Sequence, residues 1–471
     1  MVKTLTRANF PDLPSYPERM IQFGEGNFMR AFVDWQLQQM NKQGLFNGSA
    51  VLIQPRNPGI GLRLDQQDYL YTVLLNGISQ QQTVNDREII TSVSRLINPY
   101  REYETFLKLA EDDELEFISS NTTEAGIAYD PNDCLDSPQK SFPGKLTALL
   151  YRRFELGKKG FTIIPCELVD RNGEILKEIV CRYAQEWNLG DAFMNWLDED
   201  NTFCCSLVDR IVSGYPHDKA AELEQELGYE DKFMVMSEPF MFWVIEGPEW
   251  LKEKLPLAKA GLNVVVTKDM TPYRERKVRL LNGPHTAMVP LGLLAGLETV
   301  EAVMNDPSFS RFMNLLIENE LIPMLDLPSE ELHSYATAVQ ERFRNPSIHH
   351  ELTSIFLNSI SKFKTRLLPV IQRYLREKGQ LPELITLSFA ALLLCYRGDR
   401  LQRQDSPEVL AIFDEAWSNR DTLVPTILSN SKLWGEDLTQ LPGLKESLEA
   451  NLCQLEVAGS RAVLEHRIGV K

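Results

Sequence analysis

Apolar residues follow two rhythms along this chain. Up to about residue 270, short apolar runs alternate with segments of helical spacing. The runs are ERMIQF (18–23), SAVLIQ (49–54), LEFISS (115–120), FTIIPCEL (161–168) and LNVVVT (262–267), mostly bounded by Gly, Pro, Asn or Asp. Runs of this length with turn formers at their ends predict strands, and the helix-length segments between them predict a parallel sheet with crossover helices. Beyond 270 the spacing changes. RFMNLLIENELIPML (311–325), ELHSYATAVQERF (331–343), ELTSIFLNSISKFK (351–364), ELITLSFAALLLCY (383–396) and PEVLAIFDEAW (407–417) place apolar residues three and four apart. That spacing predicts a second part made almost entirely of helix. The fold class expected is α/β: a parallel-sheet domain over residues 1–270, then a mostly α-helical domain over 271–471.

Length agrees with two domains, because 471 residues exceed what one hydrophobic core usually organises. Charge narrows the partners. With 66 acidic against 49 basic side chains the formal net charge is −17, a surface that repels a phosphate backbone, so nucleic acid is not an expected partner. The seven cysteines are scattered, without the C-x-x-C spacing of a zinc site or redox pair, and read as reduced thiols of a cytoplasmic protein. MVKTLTRANFPDLPSYPERM has no apolar core of a signal peptide, and FAALLLCY (389–396) is too short to span a bilayer; no membrane partner is expected.

Directly after the first predicted strand comes GEGNFMRAFVDW, with Gly24 and Gly26 in a G-x-G arrangement ahead of an amphipathic helix. Such glycines allow a tight turn and a close approach of backbone N–H groups to a pyrophosphate, although a purely structural turn accounts for them as well. The third glycine of that fingerprint is Met29 here. Candidate dinucleotide contacts in this segment are Ile21, Gly24, Glu25, Gly26, Asn27, Phe28 and Arg30. The second strand ends in QPRN, offering Gln54, Arg56 and Asn57 but no carboxylate for a ribose diol. Arg56 would suit a 2′-phosphate, so these residues leave NAD and NADP both open. In SSNTTEAGI (119–127), Asn121 ends another strand at the edge where ligands sit in open α/β sheets; a helix-capping turn explains it equally well.

The stretch KVRLLNGPH (277–285) gathers Lys277, Asn282 and His285. In a regular helix Asn282 and His285 share a face, and Lys277 lies two turns before His285, roughly 80° around the axis. Pro284 would kink such a helix, unless Asn282 caps a new one. Each group has a use in moving hydride to or from a secondary alcohol. A desolvated lysine can exchange the hydroxyl proton, an asparagine amide can hold the developing oxyanion, and a neutral histidine can orient a hydroxyl. A charged helix edge explains the same residues without chemistry.

K-x-x-x-x-N-x-x-H resembles the signature of the polyol-specific long-chain dehydrogenases, the mannitol dehydrogenase family. The likeness extends through PERMIQFGEGNFMRAFVDWQ (17–36), SNTTEAGI (120–127), PCELVDRNG (165–173), RYAQEWNL (182–189), LVDRIVSGYP (207–216), ERKVRLLNGPHTAMVPL (275–291), RFRNP (342–346) and LWGEDLTQLPGL (433–444). It implies an N-terminal Rossmann-type domain, a helical C-terminal domain, an active site in the cleft between them, NAD as cofactor and no metal. His349 and His350, being adjacent, would not both face one ion. Lys277 would be the general acid/base, Asn282 the oxyanion donor and His285 a positioning group. Relatives often carry alanine at the position of Pro284. Where polyol dehydrogenases have C-D-N followed by N-G, this chain has Glu167-Leu168 and then Asn172-Gly173, making Asn172 the candidate second oxyanion donor. Arg342 and Lys362 match substrate-contacting positions, with Arg344 and Arg366 as alternatives. The resemblance points to a small sugar-acid substrate, whose carboxylate needs a fixed cation, and leaves the oligomeric state open.

Overall fold

The computed structural model describes residues 3–469 except 57–62, 80, 347–349 and 400. The chain divides into two compact units, one of residues 1–77 and 83–270, the other of residues 78–82 and 271–471.

The first unit is built on six parallel strands: β1 (Glu18–Phe23), β2 (Ser49–Ile53), β3 (Val93–Ile97), β4 (Phe117–Ser120), β5 (Thr162–Pro165) and β6 (Thr202–Phe203). Their order across the sheet is 3-2-1-4-5-6, with the reversal beside β1. This is the Rossmann order, in which ligands bind at the carboxyl ends of the strands where the order turns round. The strands read as continuous apolar runs because both faces are covered. Met20, Ala50, Leu52, Phe117 and Ile164 pack into one core cluster, and Ile21, Phe23, Val51, Ile53, Ile118 and Ile163 into the other. Between them run the helices α1 (Trp35–Lys42), α2 (Phe142–Glu155) and α3 (Asn172–Glu186).

Four of the five predicted strands stand in this sheet. The fifth does not: Val264–Thr267 pairs with Phe242–Glu246, which pairs with Cys205–Asp209 in a separate three-stranded sheet. Its apolar run reflects burial against that neighbour, and periodicity carries no information about which sheet a strand joins. A four-stranded sheet containing Tyr71–Ser79 and Gln82–Ile90 was not predicted. The second of those strands is half-exposed and rich in polar residues, so it lacks an apolar run.

From residue 271 onward the described residues of the second unit are helical, with one isolated bridge between Thr299 and Glu351. The relevant helices are α4 (Thr271–Lys277), α5 (Gly283–Leu294), α6 (Ser329–Phe343), α7 (Ser359–Arg366) and α8 (Glu383–Cys395). Eleven consecutive residues of α8 from Ile385 are buried, which makes FAALLLCY the centre of this unit's core. No helix of the described residues is long and apolar enough to cross a membrane.

Candidate active site

The glycine turn lies at the end of β1. Gly24 has φ +115°, and a Cβ there would meet the Asn121 carbonyl oxygen at 2.7 Å, so this position needs glycine twice over. Gly26 has no such need within the protein: its φ is −68° and its Cβ side is open, leaving the backbone approachable. The helical run that follows, residues 27–42, contains a π turn at Arg30–Asp34. Met29, in place of the third glycine, is buried in the core. Asn27 is exposed, whereas Phe28 is half-buried and stacks on Phe32.

Two expected contacts are placed elsewhere. Ile21 is fully buried in the middle of β1, paired with Val51 and Ile118, and cannot reach a ligand. Arg30 is 4% exposed: it donates to the Phe233 carbonyl and to Asn27 Oδ1 and lies over the Tyr71 ring. It therefore secures the turn from beneath. Below it Asp34 accepts from the Tyr71 hydroxyl at 2.7 Å, and complete burial pushes its carboxyl up to about 7.

A cavity of about 380 Å³ opens beside this turn, lined by Arg56, Thr122, Gly126, Tyr129, Lys140 and Ser141 among others. Its walls come from the ends of β2 and β4 and the start of α2. Asn121 secures this edge, its backbone N–H bonded to the Phe23 carbonyl at 3.0 Å and its side chain to the Cys166 carbonyl at 3.2 Å. Two supporting residues gave no sequence signal. Lys145 is fully buried, donates to the carbonyls of Pro55, Gln139 and Lys140 and to the Tyr100 hydroxyl, and is pushed down to about 8 by burial. It clamps the end of β2 to the approach of α2. Glu167 is buried and accepts from Ser120 Oγ, the Thr122 N–H and Thr122 Oγ1, tying β4 to β5; burial raises its pKa against those bonds.

Asn172 differs from expectation. It is wholly buried; Nδ2 donates to the Pro165, Glu167 and Ser206 carbonyls, and Oδ1 accepts from the Gly173 and Ser206 N–H groups. No donor remains for a substrate oxyanion. The position of the C-D-N asparagine is Leu168, which is 58% exposed. Asn172→Ala is expected to destabilise the protein by about 2–4 kcal/mol, because it strands several buried backbone groups. Urea unfolding measures this; unchanged stability with a raised KM would restore Asn172 to the substrate.

In the second unit, Lys277 ends α4 and a π turn over Val278–Asn282 joins it to α5. The N–H of Gly283 bonds to the Val278 carbonyl, five residues back. In a regular α-helix side chains five apart diverge by roughly 140°, whereas a turn closed over five residues sets Asn282 about one full turn beyond Lys277. His285 follows three residues later on the adjoining face. The wide turn also absorbs Pro284, whose nitrogen has no hydrogen to donate. Asn282 keeps helical φ and ψ, and its side chain makes no cap. All three side chains are half-buried.

Around His285 stands a group of cations and rings. Its ring lies 4.2 Å from that of Phe343, at the end of α6, and 5.2 Å from that of His350. Burial and the neighbouring Lys362 charge lower the His350 pKa. Lys362 donates to the Ile355 carbonyl at 2.7 Å; burial and then Arg366 lower its pKa, while Asp405, which accepts from the Tyr396 hydroxyl, acts the other way. Arg366 donates to Thr286 Oγ1 at 3.1 Å, one residue beyond His285, and burial alone depresses it. Among the described residues it has no ion-pair partner. Arg342 is buried at the end of α6, whereas Arg344 donates to Ser310 Oγ. From sequence His350 is weighed only as a metal ligand beside His349, and its helix-free context gives no spacing that would place it against His285. Asn57 and His349 lie outside the described residues. The metal-like grouping of Glu174, Cys205 and Glu246 is engaged by Arg171, which bonds to both carboxylates.

Residues 18–259 match the family model described as the mannitol dehydrogenase Rossmann domain, and residues 269–456 that of the mannitol dehydrogenase C-terminal domain. The chain is 46% identical over 473 residues to an altronate oxidoreductase of Bacillus subtilis (strain 168), covering 98% of each. It is 47% identical over 477 residues to the altronate oxidoreductase of Escherichia coli O139:H28, covering 98% of this chain and 99% of the relative. Among solved structures, the Pseudomonas fluorescens mannitol 2-dehydrogenase ternary complex with NAD and D-mannitol superposes with a TM-score of 0.70 at 24% identity, covering 99% of this chain and 100% of that one. A substrate-free D-sorbitol dehydrogenase gives 0.82 at 21% identity, covering 98% and 100%. At such identities these two carry the fold alone.

Proposed function

Because the chain belongs to the mannitol dehydrogenase family, we propose that it is an NAD-dependent oxidoreductase interconverting D-tagaturonate and D-altronate. The names of relatives 46–47% identical over nearly the whole chain support altronate as one partner of the reaction. The observation that favours a sugar acid over a neutral polyol is the half-buried Arg366 guanidinium, without an ion-pair partner among the described residues, beside Thr286 and Lys362. A cation withdrawn from water and left uncompensated costs free energy that an incoming carboxylate recovers.

The first unit supplies the cofactor side. The open backbone at Gly26 and the exposed Asn27 suit the pyrophosphate, and the cavity bordered by Arg56 and Tyr129 suits the adenosine. Held by these residues, a nicotinamide dinucleotide would supply the hydride for reduction of a keto carbon and would receive it in the reverse direction. Lys277 gives a proton to the oxygen as the ketone is reduced and removes it in the reverse direction. Asn282 donates to that oxygen while it carries negative charge. His285, held between Phe343 and His350, orients a neighbouring hydroxyl. Arg366 and Lys362 hold the carboxylate, with Arg342 a further candidate.

Oxidation of NADH followed side by side with tagaturonate, fructuronate and fructose tests this reading. Tagaturonate is expected to lead in kcat/KM by about tenfold or more over fructuronate, and by more over fructose, which has no carboxylate. A lead for fructose would overturn the assignment.

A further inference from the structure

The second strand ends without the carboxylate that usually receives an adenosine ribose, yet a carboxylate is present at that place from another direction. Phe23 pairs with Ile53, and the Gly24 N–H donates to the Ile53 carbonyl at 3.0 Å. The backbone of the glycine turn therefore passes directly beside Gln54 and Pro55, and the residue between the two glycines is Glu25. Its carboxyl is near Arg56 and Arg30.

Gln54 is an independent sign of a ligand. It is 3% exposed, and Asn98 Nδ2 fixes its Oε1 at 2.7 Å. Its other end, Nε2, is buried without a hydrogen-bond partner. A buried amide N–H left unmade costs about 1–3 kcal/mol, so a side chain held this way at the ligand edge of a sheet is waiting for an acceptor. It lies near enough to Glu25 to favour the ionised carboxyl without completing a bond to it. Burial, the larger influence, raises the Glu25 pKa.

We propose that the Glu25 carboxylate accepts hydrogen bonds from the 2′- and 3′-hydroxyls of the adenosine ribose, that Gln54 Nε2 donates to the same pair, and that Glu25 thereby selects NAD over NADP. This rests on the reading of the protein as a nicotinamide-dependent enzyme. A ribose diol offers two O–H donors to one carboxylate. A 2′-phosphate brings negative charge against it, and the exposed Arg56 beside Glu25 already has a carboxylate to answer. Glu25 is thus the specificity-determining residue that the second strand lacks, supplied by the glycine turn itself.

NADH and NADPH binding to the full-length protein, titrated by fluorescence without substrate, tests the assignment in wild type, Glu25→Gln and Glu25→Ser. The wild type is expected to bind NADH about tenfold or more tightly than NADPH. Both variants should lose about tenfold in NADH affinity and bring the two cofactors to near parity. An unchanged preference in variants that retain the wild-type melting temperature overturns the role of Glu25 and leaves the enzyme's function standing. A wild type that prefers NADPH overturns it in favour of Arg56 as a phosphate receptor. Binding of neither cofactor by the wild type would overturn the functional reading itself.

Discussion

Lys277→Ala is expected to lower kcat for tagaturonate reduction by about 10²–10⁴-fold, the range that a positioned proton donor contributes. NADH affinity should stay within about twofold, because the proposed cofactor contacts belong to the first unit and none involves Lys277. Stopped-flow single turnovers together with a fluorescence titration of NADH separate the two effects. The expectation follows from the local backbone. The π turn that sets Asn282 one turn beyond Lys277 gives a proton donor and an oxyanion donor neighbouring positions on one helix. Asn282→Ala should then act on the same step, and the double variant should cost far less than the product of the single losses, as residues acting as a unit do. Full turnover by Lys277→Ala would end the proposal that this amine moves the proton. A weakened NADH complex with normal chemistry would turn Lys277 into a binding residue.

Much of this arrangement was legible because local pattern determines it. The strands beginning at Glu18 and Ser49 are continuous apolar runs between turn formers, and burial on both faces allows little else. The helical second half follows from spacing at three and four. Gly24 was legible as a turn, since only glycine takes its φ beside the Asn121 carbonyl. What sequence could not give was direction. Arg30 and Arg56 are both arginines near the turn, yet one is buried beneath it and the other exposed at the edge. Asn172 carries the right functional group in the expected motif, but tertiary contacts from Pro165 and Ser206 occupy it fully. Lys145, a charged residue in an apolar helix, gave no hint that carbonyls from two segments and the Tyr100 hydroxyl would enclose it. The π turn was hidden for a similar reason: Pro284 signals a disturbed helix, while whether it kinks or widens is decided by packing.

Arg366→Leu is expected to lower kcat/KM for tagaturonate by about 10²–10³-fold and to leave reduction of fructose within about threefold. The size of the effect comes from the environment of the guanidinium. Burial alone depresses its pKa, no carboxylate answers it among the described residues, and Thr286 Oγ1 is its one side-chain hydrogen-bond partner there. Burial and then the Arg366 charge lower the Lys362 pKa, so the two cations repel one another and a bound anion would relieve that repulsion. A carboxylate therefore gains two charge-assisted contacts and relieves a like-charge cost, whereas a neutral hydroxymethyl group gains neither. Leucine keeps most of the side chain's packing volume while removing the charge, which separates the electrostatic role from support of the α5–α7 contact. Equal losses on both substrates would mean that Arg366 serves that contact and that the carboxylate is held elsewhere, with Arg342→Ala the variant to examine next. Loss confined to the uronate would place the choice between acid and polyol in a single residue of α7, one turn beyond Lys362.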